Sequence, residues 1–212
     1  MLIDHIGIFF FPNILALRII GRISFPIFAF FVAEGFFYTH SKKRYLITML
    51  IFAIVSQVPY MFLFGFYQFN ILFTFLFAII LLWLFEKIKT TEKHQRMMPI
   101  MWFCTLCLFL IIFSKFYSYG ILGVLCVFNF YAFRDKPIIK WLLFCTIMVL
   151  MALVNAIFSS FTLQNLDQVF GILALPFLLL YNGQKGKINL KYLFYIFYPT
   201  HLAIILLLLQ II

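Results

Sequence analysis

Charge is what this chain lacks most. Of its 212 residues only 10% are charged, and only 6 of those are Asp or Glu. A water-soluble domain carries about 25% charged residues, so this composition cannot clothe a fold that faces water on all sides. Disorder is excluded from the other direction, because 66% of the residues are hydrophobic and a disordered chain is poor in them. Gly (9) and Pro (7) are sparse against 32 Phe, and no low-complexity tract, domain linker or internal repeat interrupts the chain. Cys is scarce as well, at 4 residues. The one C-x-x-C, Cys104 to Cys107, sits inside an apolar run with no second pair or His nearby, so it reads as helix packing. G-x-S-x-G, H-E-x-x-H, Walker and dinucleotide signatures are all missing.

What is present is enough apolar chain for a polytopic membrane protein. A span takes about 20 residues at 1.5 Å rise each, so the length holds at most eight or nine short-looped spans and no soluble domain. A barrel would need segments of roughly ten residues alternating apolar and polar. Leu46–Phe64 and Leu202–Ile212 are instead apolar on every face. The expected fold is therefore all-α, a single integral membrane domain over residues 1–212. The predicted segments are Ile3–Phe11, Ile19–Thr39, Tyr45–Phe64, Gln68–Phe85, Ile100–Ser114, Tyr119–Phe133, Ile138–Ser159, Val169–Tyr181 and Lys191–Ile211. Eight are full spans. The first is half-length before Pro12, which implies a re-entrant segment or a natural beginning longer than this one. It has neither the basic flank nor the cleavage site of a signal peptide.

Basic residues sort by side. Lys and Arg number three in 42–44, none at the Gly65 turn, four over 87–96 and one at 115. Three follow at 134, 136 and 140, none over 160–168, and three at 185, 187 and 191. Positive loops stay in the cytoplasm, which puts the amino-terminal end inside and the carboxyl terminus outside. The net charge of +10 is thus read as topology and contact with anionic lipid, not as a nucleic-acid surface. Arg18 and Arg22 lie on the wrong side.

Ionised groups inside a bilayer are costly and mark function by default. Asp4, His5, Arg18, Arg22, Glu34, Lys191 and His201 form that set, with Gln57, Asn70 and Thr74 as neutral company. Arg18 and Arg22 share a helix face at i, i+4, and Asp4 and Glu34 supply two carboxylates to match them. Asp4 and His5 point about 100° apart on a helix, so Asp4 is expected to pair with Arg and not to orient His5. A neutral His5 is either a general base or a packing residue hydrogen-bonded to a neighbouring helix. Tyr198 shares a face with His201, and Lys191, Tyr195 and Tyr198 form a stripe that lines a polar cavity or, for Lys191, snorkels to the interface.

The strings Leu2-Ile3-Asp4-His5-Ile6-Gly7, Gly21-Arg22-Ile23-Ser24-Phe25-Pro26, Ala33-Glu34-Gly35-Phe36, Ser56-Gln57-Val58-Pro59, Asn70-Ile71-Leu72-Phe73-Thr74, Tyr181-Asn182-Gly183 and Tyr198-Pro199-Thr200-His201-Leu202 together resemble the TraX family along the whole chain. The resemblance implies acetylation of a pilin amino terminus, as for F pilin. It also implies a distant likeness to membrane acyltransferases that pass acetyl from cytoplasmic acetyl-CoA to an acceptor across the bilayer. His5, the membrane histidine near the start, inherits the catalytic role. Arg22, Glu34, Gln57, Asn70, Thr74, Lys191, Tyr198 and His201 inherit a looser place in the site. The chain departs from the family in having Tyr38-Thr39-His40 where His-Thr-Arg is usual, and Ser118 where an acidic residue commonly precedes Tyr-Gly. The expected function is a multi-pass N- or O-acetyltransferase using acetyl-CoA, with a pilin-like or cell-envelope acceptor. The alternative is a non-enzymatic membrane factor in pilus or envelope assembly. A small transporter is disfavoured by the missing repeat.

Overall fold

The apolar runs fold as helices, and the turns between them fall where charge or a turn residue interrupts the pattern. The computed structural model describes residues 1–159, 163–184 and 191–211, with the side chains of 158, 159, 163–165, 191 and 192 outside that description. In chain order the helices are α1 (Leu2–Phe9), α2 (Leu15–Arg22), α3 (Ser24–Tyr38), α4 (Lys42–Phe64), α5 (Ile71–Thr90), α6 (Met97–Ile112), α7 (Gly120–Ala132) and α8 (Pro137–Ser159). A 3₁₀ stretch, Leu163–Ala174, leads into the short α9 (Leu175–Leu179), and α10 (Lys191–Ile211) closes the chain. Every regular element among the described residues is helical.

Five segments are long and apolar enough to cross a membrane: Leu15–Tyr38, Lys42–Phe64, Ile71–Thr90, Pro137–Ile157 and Leu193–Ile211. Met97–Ile112, Gly120–Ala132 and Leu166–Leu179 are apolar but shorter. With α1 these make nine segments among the described residues, matching the nine read from the sequence, but four of them are shorter than a full span where only the first was expected to be. The brevity of α7 is tolerated because it is not left to the lipid: Val124, Cys126, Val127 and Phe130 are all buried among other helices. Lipid-exposed backbone would need its own hydrogen bonds, whereas backbone shielded by protein can be irregular at membrane depth.

Packing puts α3, α5 and α7 at the centre, with α4 and then α10 on one flank and α8 with the 3₁₀ stretch on the other. Two capping side chains start the long helices. Ser41 accepts from the Arg44 amide at 3.3 Å, and Asn70 Oδ1 accepts from the Leu72 amide at 2.9 Å. The break between α2 and α3 at Ile23 also has a local cause. Ser24 Oγ donates to the Gly21 carbonyl at 2.7 Å, and Pro26 has no amide to offer the Arg22 carbonyl.

α1 folds back antiparallel on α2, and glycine makes the approach close enough. A Cβ on Gly21 would lie 2.3 Å from Asp4 Cβ and 2.7 Å from Asp4 Cα. Gly21→Ala is therefore expected to destabilise the protein by about 1–3 kcal/mol, because backbone must move to admit the methyl. Gly35→Ala, whose Cβ meets only the hydroxyl end of Tyr45 at 2.9 Å, should cost less. Thermal unfolding of the detergent-solubilised variants measures both, and an unshifted Gly21→Ala melting curve would contradict the close crossing.

Candidate functional site

The two arginines placed one turn apart on α2 organise the site. Arg18 Nη1 donates to Asp4 Oδ1 at 2.8 Å, and Arg18 Nη2 to Asp167 Oδ2 at 2.8 Å. Arg22 reaches the same Asp167 Oδ2 through Nε at 3.0 Å and Nη2 at 2.9 Å, and lies 3.7 Å from Asp4 Oδ2. Two guanidiniums and two carboxylates thus form a neutral network, which is how ionised groups survive in an apolar interior. Asp4 pairs with Arg as its helical position requires. Glu34 is not the second carboxylate. It sits on α3, twelve residues beyond Arg22 and so about 18 Å further along the helix direction, and pairs with Arg134 at 2.8 Å. Arg134 also donates to the Tyr38 hydroxyl at 2.9 Å.

Asp167 comes from the 3₁₀ stretch, just ahead of the segment predicted to start at Val169 and within the 160–168 connection that has no Lys or Arg. The stretch packs against α2, α3 and α8. Gly171 permits this: a Cβ there would lie 2.8 Å from Met148 Sδ and 3.3 Å from Pro26.

Tyr119 is the other residue that sequence reasoning passed over. Its φ of 63° is left-handed, and among the described residues no other non-glycine has a positive φ. That strain is held by its ring, stacked on Phe25 with centroids 3.9 Å apart, and by its hydroxyl, which accepts from Arg22 Nη1 at 3.3 Å. The predicted segment begins at Tyr119 itself, and nothing local points the ring at Arg22.

His5, one of the buried residues of α1, meets His201 of α10. His5 Nδ1 and His201 Nε2 are 3.0 Å apart, and His201 Nδ1 lies 2.8 Å from the Phe197 carbonyl. The two rings are within 10° of parallel with centroids 5.1 Å apart. At that N–N distance the rings meet edge to edge, because face-to-face rings would bring their centroids much closer. Phe64 flanks His5, and Phe197 and Tyr198 flank His201.

A cavity of about 900 Å³ opens beside this pair, lined by Asp4, His5, Arg22, Tyr60, Tyr119 and Tyr198 at depth and by Gln68, Ser114, Lys115 and Gln168 nearer its mouth. The mouth residues all belong to the lysine-poor connections. The cavity therefore opens at the end of the bundle opposite residues 42–44, 87–96 and 134–136. A second cavity of about 240 Å³, lined by Arg18, Asp167, Gly7 and Pro12 among others, lies on the other side of the ion network.

The remaining residues of the predicted set divide by what they touch. Asn70 Nδ2 donates to the Ala53 carbonyl and to Gln57 Oε1, and Gln57 Nε2 donates to the Gln68 carbonyl. These two side chains tie the start of α5 to α4. Thr74 donates to the Ser118 carbonyl and so anchors the turn that carries Tyr119. Ser118 Oγ in turn lies 3.0 Å from the Tyr60 hydroxyl. Gln57, Asn70 and Thr74 thus support the cavity wall and do not face its space. The Lys191 side chain lies outside the described residues. Among the described residues, no group of three His, Cys, Asp or Glu is arranged to hold a metal ion.

A family model described as "TraX protein" matches residues 1–209. The chain is 27% identical over 225 residues to "Probable fimbrial assembly protein FimC, serogroup H1" of Dichelobacter nodosus, covering 97% of this chain and 89% of that protein. It is 28% identical over 212 residues to "Uncharacterized protein RP591" of Rickettsia prowazekii (strain Madrid E), covering 91% and 79%. No solved structure matches.

Proposed function

The chain belongs to the TraX protein family, and from that premise we propose that it is a membrane-embedded acetyltransferase moving acetyl from acetyl-CoA to an amine or hydroxyl acceptor. The observation that carries the reading is a buried histidine and a buried arginine, His5 and Arg22, lining one cavity. His5 takes the proton from the acceptor as its nitrogen or oxygen attacks the thioester carbon. The carbon–sulfur bond breaks, the acetyl passes to the acceptor, and His5 returns the proton to the departing CoA sulfur. Arg22 and the Tyr119 hydroxyl are donors for the carbonyl oxygen as charge gathers on it. The network behind Arg22 holds it in place without a change of charge.

With the basic connections in the cytoplasm, the amino-terminal end lies inside, the carboxyl terminus outside, and the cavity mouth faces away from the cytoplasm. The acceptor enters there, and the acetyl group is presented from the basic end. The fimbrial name of the Dichelobacter nodosus relative favours a pilus subunit's amino terminus as acceptor. The same name favours a second reading, a non-enzymatic assembly factor in which the ion network only fixes helix packing.

Transfer of labelled acetyl from acetyl-CoA in membranes with and without the protein separates the two. The enzyme reading expects label in a membrane or envelope acceptor that depends on the protein. Label no higher than in membranes lacking it, with the protein shown to be folded, overturns the enzyme and leaves the assembly factor.

A further inference from the structure

The hydrogen bonds of the histidine pair fix where its protons sit. The Phe197 carbonyl can only accept, so His201 Nδ1 carries a proton. A second proton, on Nε2, would make His201 a cation buried among Phe197, Tyr198 and Leu202. The carboxylates nearest this floor, Asp4 and Asp167, are already committed to Arg18 and Arg22, so such a cation would have no counter-charge. His201 is therefore neutral, and its Nε2 offers a lone pair. The partner across the 3.0 Å contact, His5 Nδ1, must then be the donor. A neutral imidazole carries one proton, which leaves His5 Nε2 bare. Among the described residues Nε2 has no hydrogen-bond partner, and His5 lines the cavity.

From this we infer that His201 is a positioning residue that holds His5 in the tautomer with its proton on Nδ1 and its lone pair on Nε2, available to the cavity. The chain of donors runs from His5 Nδ1 to His201 and from His201 Nδ1 to the backbone of α10. The last helix thus sets the proton placement of a residue 196 positions earlier. Free histidine prefers the opposite tautomer, so the pairing has chemical content beyond packing. A base whose lone pair pointed at His201 could take no proton from an acceptor in the cavity. The inference rests on the reading of His5 as the base only for its consequence in transfer; the tautomer itself stands on the hydrogen bonds.

Two measurements test it separately. The first is ¹⁵N NMR of ring-labelled histidine in the solubilised protein, with His40 and His94 replaced so that two histidines remain. His5 should show a protonated Nδ1 and a bare Nε2. That signature should survive His201→Gln, whose Oε1 can stand where Nε2 was, and vanish in His201→Phe. An Nε2 proton on His5 in the His201 protein would overturn the inference, whether or not the protein transfers acetyl. The second is the transfer assay. His201→Phe should lower kcat by about 10- to 100-fold, part of the 10² to 10⁴ that general-base catalysis supplies, with KM for acetyl-CoA unchanged and His201→Gln recovering most of the loss. Equal kcat in the Phe variant would also overturn it. A protein that transfers nothing while showing the expected tautomer removes the acetyltransferase reading and leaves the proton placement standing.

Discussion

His5→Ala is expected to lower acetyl transfer by about 10²- to 10⁴-fold, the range lost when a positioned general base is removed, while the protein still folds. The two halves of that expectation come from different parts of the site. The charges that hold α1 to α2 and to the 3₁₀ stretch run through Asp4, Arg18, Arg22 and Asp167, and their bonds to one another do not pass through the His5 side chain. The imidazole itself contributes one hydrogen bond to His201 and a ring contact with Phe64. Losing a neutral hydrogen bond costs about 0.5–1.5 kcal/mol, well short of unfolding a bundle. His5→Gln should be as inactive as His5→Ala, because an amide can fill the space and bond to His201 but cannot carry a proton. The check is initial rate of labelled acetyl transfer alongside the melting temperature of the solubilised variants. Transfer undiminished in His5→Ala eliminates the histidine as catalyst, however well the variant folds.

Asp167→Ala should do the reverse, costing stability first. Asp167 is buried and its Oδ2 takes hydrogen bonds from both arginines. Without it Asp4 alone faces two guanidiniums, leaving one buried positive charge unmatched. Breaking a buried ion pair on one side costs about 3–5 kcal/mol, and the partial exposure of Arg18 argues for the lower end, about 3 kcal/mol. Asp167→Asn keeps the shape and one acceptor but not the charge, and should fall between wild type and Asp167→Ala. Melting temperature and yield of folded protein from membranes report the order. If Asp167→Ala melts like wild type, the network is not a source of stability and the role assigned to Asp167 fails.

The bundle was legible because bilayer thickness and hydrophobic run length are tied by helix rise. Each of the nine segments read from the sequence corresponds to an apolar helical segment among the described residues, with α2 and α3 together forming the second and the 3₁₀ stretch with α9 the eighth. Three of the eight read as full spans are shorter than one; for α7 the reason is burial among other helices, which removes the need for a full span and leaves no mark in a hydropathy pattern. The i, i+4 spacing of Arg18 and Arg22 correctly placed both on one face. Asp4 was read correctly as one partner; the second carboxylate was misread, yet the sequence held the means to find it. Glu34 is too far along the helix that carries Arg22, and Glu86, Glu92 and Asp135 sit in the basic connections. Asp167 is the one acidic residue left over on the lysine-poor side. The pairing of His5 with His201 had no such signal. Two histidines separated by most of the chain meet only once the order of helices in space is known, and that order is set by packing among α3, α4, α5 and α7. The support role of Gln57, Asn70 and Thr74 was hidden for the same reason: apart from the bond between the Asn70 and Gln57 side chains, their partners are backbone carbonyls and amides, which every sequence possesses.

The neutrality of the ion network has a consequence for how the protein is made. Residues 4–22 carry one negative and two positive charges, so the α1–α2 hairpin leaves the ribosome with one excess positive charge. The compensating Asp167 is 145 residues downstream of Arg22, and His201 later still. During synthesis the hairpin therefore has no stable seat in the hydrocarbon, and its final docking must wait until nearly all of the other helices are in place. An early-made hairpin then settles only after segments made long after it.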